Sequence, residues 1–187
     1  RDAGLPENIH GIYLGGGYPE LYAKDRSENL SMRRALQAAV RSDMPVYAEC
    51  GGFMYLCKSL EDQNGRIFEM AGVFGFHTVM AKQLCALGYR QIRFLENTLL
   101  GPADTVVRGH EFHYSFIRDP KSDQASRDVY ETADRAGKNR TAPGWMTNQC
   151  LGSYVHLHFR SRPQTGRNFA TACAAFQNKR KNIHETP

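Results

Sequence analysis

Apolar positions along the first sixty residues follow two alternating rhythms. The run Ile9-His10-Gly11-Ile12-Tyr13-Leu14 stops at Gly15-Gly16-Gly17, a pattern that predicts a buried parallel strand ending in a tight loop. From Ser27 to Arg41 the spacing changes: Leu30, Met32, Ala35, Leu36, Ala39 and Val40 recur at helical intervals. Pro45 then precedes a second short strand, Val46-Tyr47-Ala48, which ends at Glu49-Cys50-Gly51-Gly52. After it Phe53, Met54, Leu56 and Cys57 resume a helical period. Strand, helix, strand, helix is the alternation expected of a doubly wound α/β sheet.

The middle of the chain is richer in β signals. Residues 70–80, 89–94 and 106–117 are predicted strands, and residues 119–128 and 136–141 are predicted polar loops. Near the end, residues 152–159 read as one strand. His156 and His158 would then share a face, because residues two apart in a strand point the same way. Residues 167–177 form a predicted closing helix. At 187 residues without internal repeats, the chain is expected to be a single domain over residues 1–187.

Composition narrows the function classes. Lys and Arg number 24 against 19 Asp and Glu, a formal net charge of +5, and part of the excess is the tail Lys179-Arg180-Lys181. Neither a basic helix nor zinc spacing nor an aromatic platform accompanies it, so nucleic acid is not an expected partner. No apolar run approaches the ~20 residues a membrane helix needs. The cysteines Cys50, Cys57, Cys85, Cys150 and Cys173 are odd in number and irregular in spacing. That argues against a disulfide scaffold and for a cytoplasmic location. The opening Arg1-Asp2-Ala3-Gly4, with no methionine in the lead, leads us to expect an upstream partner domain.

Candidate chemistry centres on Cys50. It lies where a strand turns sharply into a helix, with glycines on its far side that let backbone or ligand approach closely. This is the pattern of a nucleophile elbow, which thrusts a side chain out at the carboxyl end of a sheet. A helix start beside a thiol favours its thiolate form and offers free N–H groups to an oxyanion. The competing reading is a buried core thiol next to a glycine turn. A thiol nucleophile needs a proton acceptor, and His10, His77, His110, His113, His156, His158 and His184 are the available histidines. The late-strand pair His156 and His158 is best placed. His110, His113, His156 and His158 can also be read as metal ligands, but the spacing of His110-Glu111-Phe112-His113 differs from the helical H-E-x-x-H pattern, so no metal is expected.

Five segments in this order carry a resemblance. They are Gly15-Gly16-Gly17-Tyr18-Pro19-Glu20, residues Tyr47 to Leu56 around Glu49-Cys50-Gly51-Gly52, Gly88-Tyr89-Arg90, residues Arg108 to Ser115, and Ser153 to Phe159. Together they resemble the C-terminal glutaminase domain of the cobyrinic acid a,c-diamide synthase family, over about Leu5 to Phe159. The resemblance implies a class I glutamine amidotransferase-like fold, three-layer α/β/α with a mostly parallel central sheet. It implies Cys50 as nucleophile, His156 as base, and an oxyanion hole from the backbone of Gly51, Gly16 and Gly17. Glutamine is the implied substrate. The ammonia would pass to an N-terminal ATP-dependent synthetase domain of the same polypeptide, which amidates corrinoid carboxylates in cobalamin biosynthesis.

Two departures qualify the resemblance. Triad amidotransferases place a glutamate two residues after the base, and here that position is His158. A Cys–His dyad is therefore expected, with Glu49, Glu111 and His158 as supporting candidates. The chain also lacks a G-x-x-x-x-G-K-[ST] loop, so ATP and Mg2+ are expected only in the absent domain and no cofactor in this one. Two other functions stay open: a glutaminase serving another amidation (sirohydrochlorin or a cell-wall lipid precursor), and a non-catalytic binding module.

Overall fold

A computed structural model describes residues 2–140 and 142–184. Its centre is a five-stranded sheet in the order Ile12–Leu14, Val46–Glu49, Cys150–Ser153, Gly144–Thr147, Arg127–Asp128. The first three strands are parallel and the last two antiparallel. Val46–Glu49 and Cys150–Ser153 are buried at every position, which is why neither alternates apolar with polar residues. Alternate residues serve two cores. Val46, Ala48 and Cys150 pack with Leu36, Phe53, Leu56 and Phe74. Tyr47 and Leu151 pack with Ile92, Phe94, Val107 and Val155, with Phe169 and Ala172 of the last helix against them. The α/β class read from the sequence holds.

Register is what positions the site. Leu14 and Gly152 both pair with Ala48, and Ser153 pairs with Glu49. The loops leaving Ile12–Leu14, Val46–Glu49 and Cys150–Ser153 therefore emerge side by side at the carboxyl end of the parallel strands, where open α/β sheets hold their ligands.

A second five-stranded sheet, antiparallel throughout, runs Asn139–Arg140, Tyr130–Ala133, Ala86–Phe94, Val106–His113, His156–Leu157. A four-stranded sheet comprises Ile67–Glu69, Ser59–Glu61, His77–Met80 and Ser115–Ile117. The helix Leu30–Arg41 starts where Asn29 Oδ1 accepts from the Met32 N–H at 3.2 Å, an N-cap that satisfies one orphan donor. The last helix, Pro163–His184, extends beyond the predicted 167–177 and has proline at its first position.

Three predicted strands differ. In residues 70–80 only His77–Met80 is strand. The N–H groups of Ala71, Val73 and Phe74 instead donate to Tyr55 and Leu56 carbonyls at 2.8–3.0 Å, closing the end of the helix Gly51–Leu56. The segment 106–117 breaks at Tyr114 and crosses from one sheet to another. The segment 152–159 breaks between Ser153 and His156, again changing sheets, and ends at Leu157. All five cysteines are free thiols.

Candidate active site

Cys50 sits between the strand Val46–Glu49 and the helix Gly51–Leu56, with φ 46° and ψ −106°. A non-glycine residue held there costs on the order of 1–3 kcal/mol and persists only when its surroundings fix it. They do: the Cys50 N–H donates to the Ser153 carbonyl at 2.7 Å, and its carbonyl accepts from Met54 N–H at 2.9 Å. The thiol lies 3.9 Å from the Phe112 carbonyl oxygen. The glycine loop abuts this elbow. Gly52 N–H donates to the Gly15 carbonyl at 3.1 Å, and a side chain on Gly51 would meet the Gly17 carbonyl at 2.6 Å. A Cβ on Gly16 would overlap the His156 ring. Gly16, Gly17 and Gly51 thus converge beside the thiol and the imidazole. As the first residue of its helix, Gly51 has an N–H with no preceding turn to bond.

His156 pairs with His110 across the sheet, and their rings stack at 4.8 Å and 11°. Its Nδ1 lies 3.4 Å from Glu49 Oε2. The imidazole pKa is raised to about 9, first by its hydrogen bond with Cys50, then by its hydrogen bond with Glu49, against the opposing effect of burial.

Glu49, 3% exposed, is the carboxylate that faces it. Its Oε1 accepts from Tyr47 Oη at 2.7 Å and Leu157 N–H at 2.8 Å, and its Oε2 from Tyr13 Oη at 2.8 Å. Burial alone would raise the carboxyl pKa, but hydrogen bonds from His156, Tyr47, Tyr13 and the Leu157 amide hold it below its ordinary value. Burial first, and then the same carboxylate, pushes the Tyr13 and Tyr47 phenols upward. The imidazole thus has both the thiol and the carboxylate as partners, and the carboxylate comes from the residue immediately before the cysteine.

The other two supporting candidates stand elsewhere. His158 is exposed and caps a short 3-10 turn, and its N–H donates to the Arg108 carbonyl at 2.8 Å. The face it was expected to share with His156 does not exist, because the strand ends one residue earlier. Glu111 is buried on the side of its strand opposite His110, where Arg90 Nε donates to it at 2.6 Å and His113 Nε2 stands at 3.3 Å. Tyr13 and Tyr47 went unread as site residues, and His110 was read only as one of the available histidines and a possible metal ligand. A signal was present: Tyr47 is two residues from Glu49 and so on its face, and parallel pairing puts Tyr13 opposite Tyr47.

Residues 1–164 match the family of CobB/CobQ-like glutamine amidotransferase domains. The chain belongs to that family. This amidotransferase domain is 38% identical over 179 residues to cobyrinate a,c-diamide synthase of Caldanaerobacter subterraneus subsp. tengcongensis, covering 95% of the chain and 38% of the relative. The synthase of the same name from Salmonella typhimurium is 41% identical over 173 residues, 92% of the chain and 37% of the relative. The domain thus spans well under half of these curated relatives. Among solved structures, a glutamine amidotransferase superposes with a TM-score of 0.61 at 13% identity, covering 90% of this chain and 81% of that one, a likeness of fold. No helix among the described residues of the domain is long and apolar enough to cross a membrane.

Proposed function

We propose that this domain hydrolyses L-glutamine through a thioester on Cys50, and that it supplies ammonia to a corrinoid carboxylate amidation. The observation that carries the reading is the line Cys50–His156–Glu49 at the carboxyl end of the parallel strands. The thiol sulfur attacks the side-chain amide carbon while the thiol proton rests on His156. Negative charge gathers on the amide oxygen, which accepts from the N–H of Gly51 and from the Gly16–Gly17 loop. Each such donor is worth ~2.7–4 kcal/mol. His156 returns the proton to the amide nitrogen, the C–N bond breaks, and ammonia leaves. Water, giving a proton to the same imidazole, then attacks the thioester and releases glutamate and the thiol. Glu49 fixes the ring and offsets its positive charge throughout, as the buried carboxylate of a serine triad does.

The acceptor side of the reading rests on the relatives' names and on their greater length. A separate N-terminal synthetase domain of the same polypeptide would activate corrinoid carboxylates with ATP and Mg2+. The cytoplasm, where free thiols stay reduced, is the setting that suits five unpaired cysteines. Incubation with a glutamine-analogue electrophile tests the catalytic half directly. Intact mass should show a single adduct, mapped to Cys50. A protein that stays unlabelled, or is labelled at another cysteine, would make the domain a binding module.

The ring's pKa gives a second test. Imidazolium persists at neutral pH and is lost as pH rises through about 9, so kcat/KM for glutamine should fall on an alkaline limb there. The stability that this raised pKa contributes is fully present below the ordinary 6.5 and disappears over the same rise through about 9. Glu49→Gln removes one cause of the elevation. It should move the alkaline limb to lower pH and lower kcat on the order of 10²-fold. An unmoved limb would show that Glu49 acts on packing alone.

A further inference from the structure

A cleft of about 690 Å³ opens on the uncovered side of the antiparallel sheet, and His110, whose ring stacks on His156, lines it. Strand alternation builds it. Ile92, Phe94 and Val107 are buried, so Tyr89, Gln91, Arg108 and His110 face outward. Register then lays Tyr89, His110 and His156 in one row, because Tyr89 pairs with His110 and His110 with His156. The row leads from the cleft to the imidazole of the site.

The charges in the cleft are unbalanced. Arg108, Arg135 and Arg160 line it together with His110 and His158, and Asp134 is its one carboxylate. Asp134 Oδ1 already accepts from the N–H groups of Ala136 and Lys138 at 2.9 and 3.0 Å. Among the described residues, none of the three arginine side chains is hydrogen-bonded or ion-paired. Arg90, the fourth arginine of the lining, is paired with Glu111, and Arg93 close by with Glu131 and Asp104. Three exposed guanidinium groups without partners in one concavity concentrate positive potential there, which draws anions. Guanidinium groups are suited by their fork geometry to carboxylate and phosphate.

We infer that this cleft binds the oxyanion groups of the ammonia acceptor, carboxylate or phosphate, as a site separate from the one that takes glutamine. The inference rests on the glutaminase reading for its purpose, though not for its chemistry. Glutamine itself is a poor match, since its one carboxylate is balanced by its own ammonium and it needs less room than this cleft offers. A molecule with several carboxylates, or one carrying an activating phosphate, would neutralise all three arginines. Held there, it would stand against His110, whose ring stacks on the His156 imidazole.

Calorimetry on the intact protein tests this with two probes, propane-1,2,3-tricarboxylate and inorganic phosphate, beside L-glutamine. The expected result is saturable binding of at least one probe, weakened by added salt and not displaced by glutamine. Binding of the tricarboxylate alone would assign the cleft to acceptor carboxylates, and binding of phosphate alone to the activated group. Arg108→Ala and Arg160→Ala should each weaken binding about tenfold. Alkylation of Cys50 by the glutamine analogue should keep its wild-type rate in both, which also certifies their folding. Failure of both probes to bind a protein whose Cys50 is alkylated normally would overturn the inference. So would arginine variants that raise KM for glutamine instead, because the cleft would then be the glutamine site. A protein that binds the probes yet neither hydrolyses glutamine nor labels at Cys50 would leave the anion site standing and remove the glutaminase reading.

Discussion

Cys50→Ala is expected to abolish glutamine hydrolysis, by on the order of 10⁴-fold or more, as for other nucleophiles removed from covalent mechanisms. On the proposed function, a full-length synthase carrying the same variant should still amidate its acceptor when ammonium salts replace glutamine, because nitrogen release and carboxylate activation are separate chemistries. The substitution is a clean one. Alanine bears the same Cβ as cysteine, so the cost of a positive φ at this elbow is unchanged. The thiol's hydrogen bond with His156 goes, and with it the first cause of the raised imidazole pKa. Measuring glutamine-dependent and ammonium-dependent amidation side by side decides the matter. Equal loss of both would mean that Cys50 holds the fold together and does no chemistry.

His156→Ala should lower kcat for glutamine by a factor in the ~10²–10⁴ range lost with a general base. It also leaves Glu49 without one of the hydrogen bonds that hold its pKa down, so the buried carboxyl should take up a proton more readily. His158→Ala is the internal control. His158 hydrogen-bonds neither Glu49 nor His156 through its side chain, and glutamine turnover should change by less than about tenfold. Steady-state kinetics on the two variants separates them. If His158→Ala were the more damaging, the base would have to be sought on the cleft side of the sheet.

Much of this was legible from residue order. The strand–turn–helix at Val46 to Leu56 announced itself through a short apolar run, a glycine pair and a change of period, and the elbow sits where those signals meet. His156 was legible for a different reason, through its place in a segment resembling a known family. What the order of residues hid was the sheet crossing between Ser153 and His156. A single strand over 152–159 and two short ones in different sheets have the same hydrophobicity, and only tertiary pairing tells them apart. That one ambiguity turned His158 into an apparent neighbour of the base. Glu49 was harder to rank for a related reason. Its importance comes from Tyr13 and Leu157, which are distant in sequence and adjacent only through register.

The central place of the strand Val46–Glu49 also bears on how the protein is made. One flank of that strand is filled by residues 12–14, available early in synthesis, and the other by residues 150–153, available late. The thiol is therefore translated about a hundred residues before the imidazole of the same site (positions 50 and 156). The carbonyl that pins the elbow, on Ser153, arrives with the late strand. A ribosome-bound or truncated chain that stops short of residue 150 carries the thiol without the imidazole and without the bond that fixes its backbone. On the proposed mechanism, an unfinished copy should therefore leave glutamine untouched until the strand Cys150–Ser153 and His156 are in place.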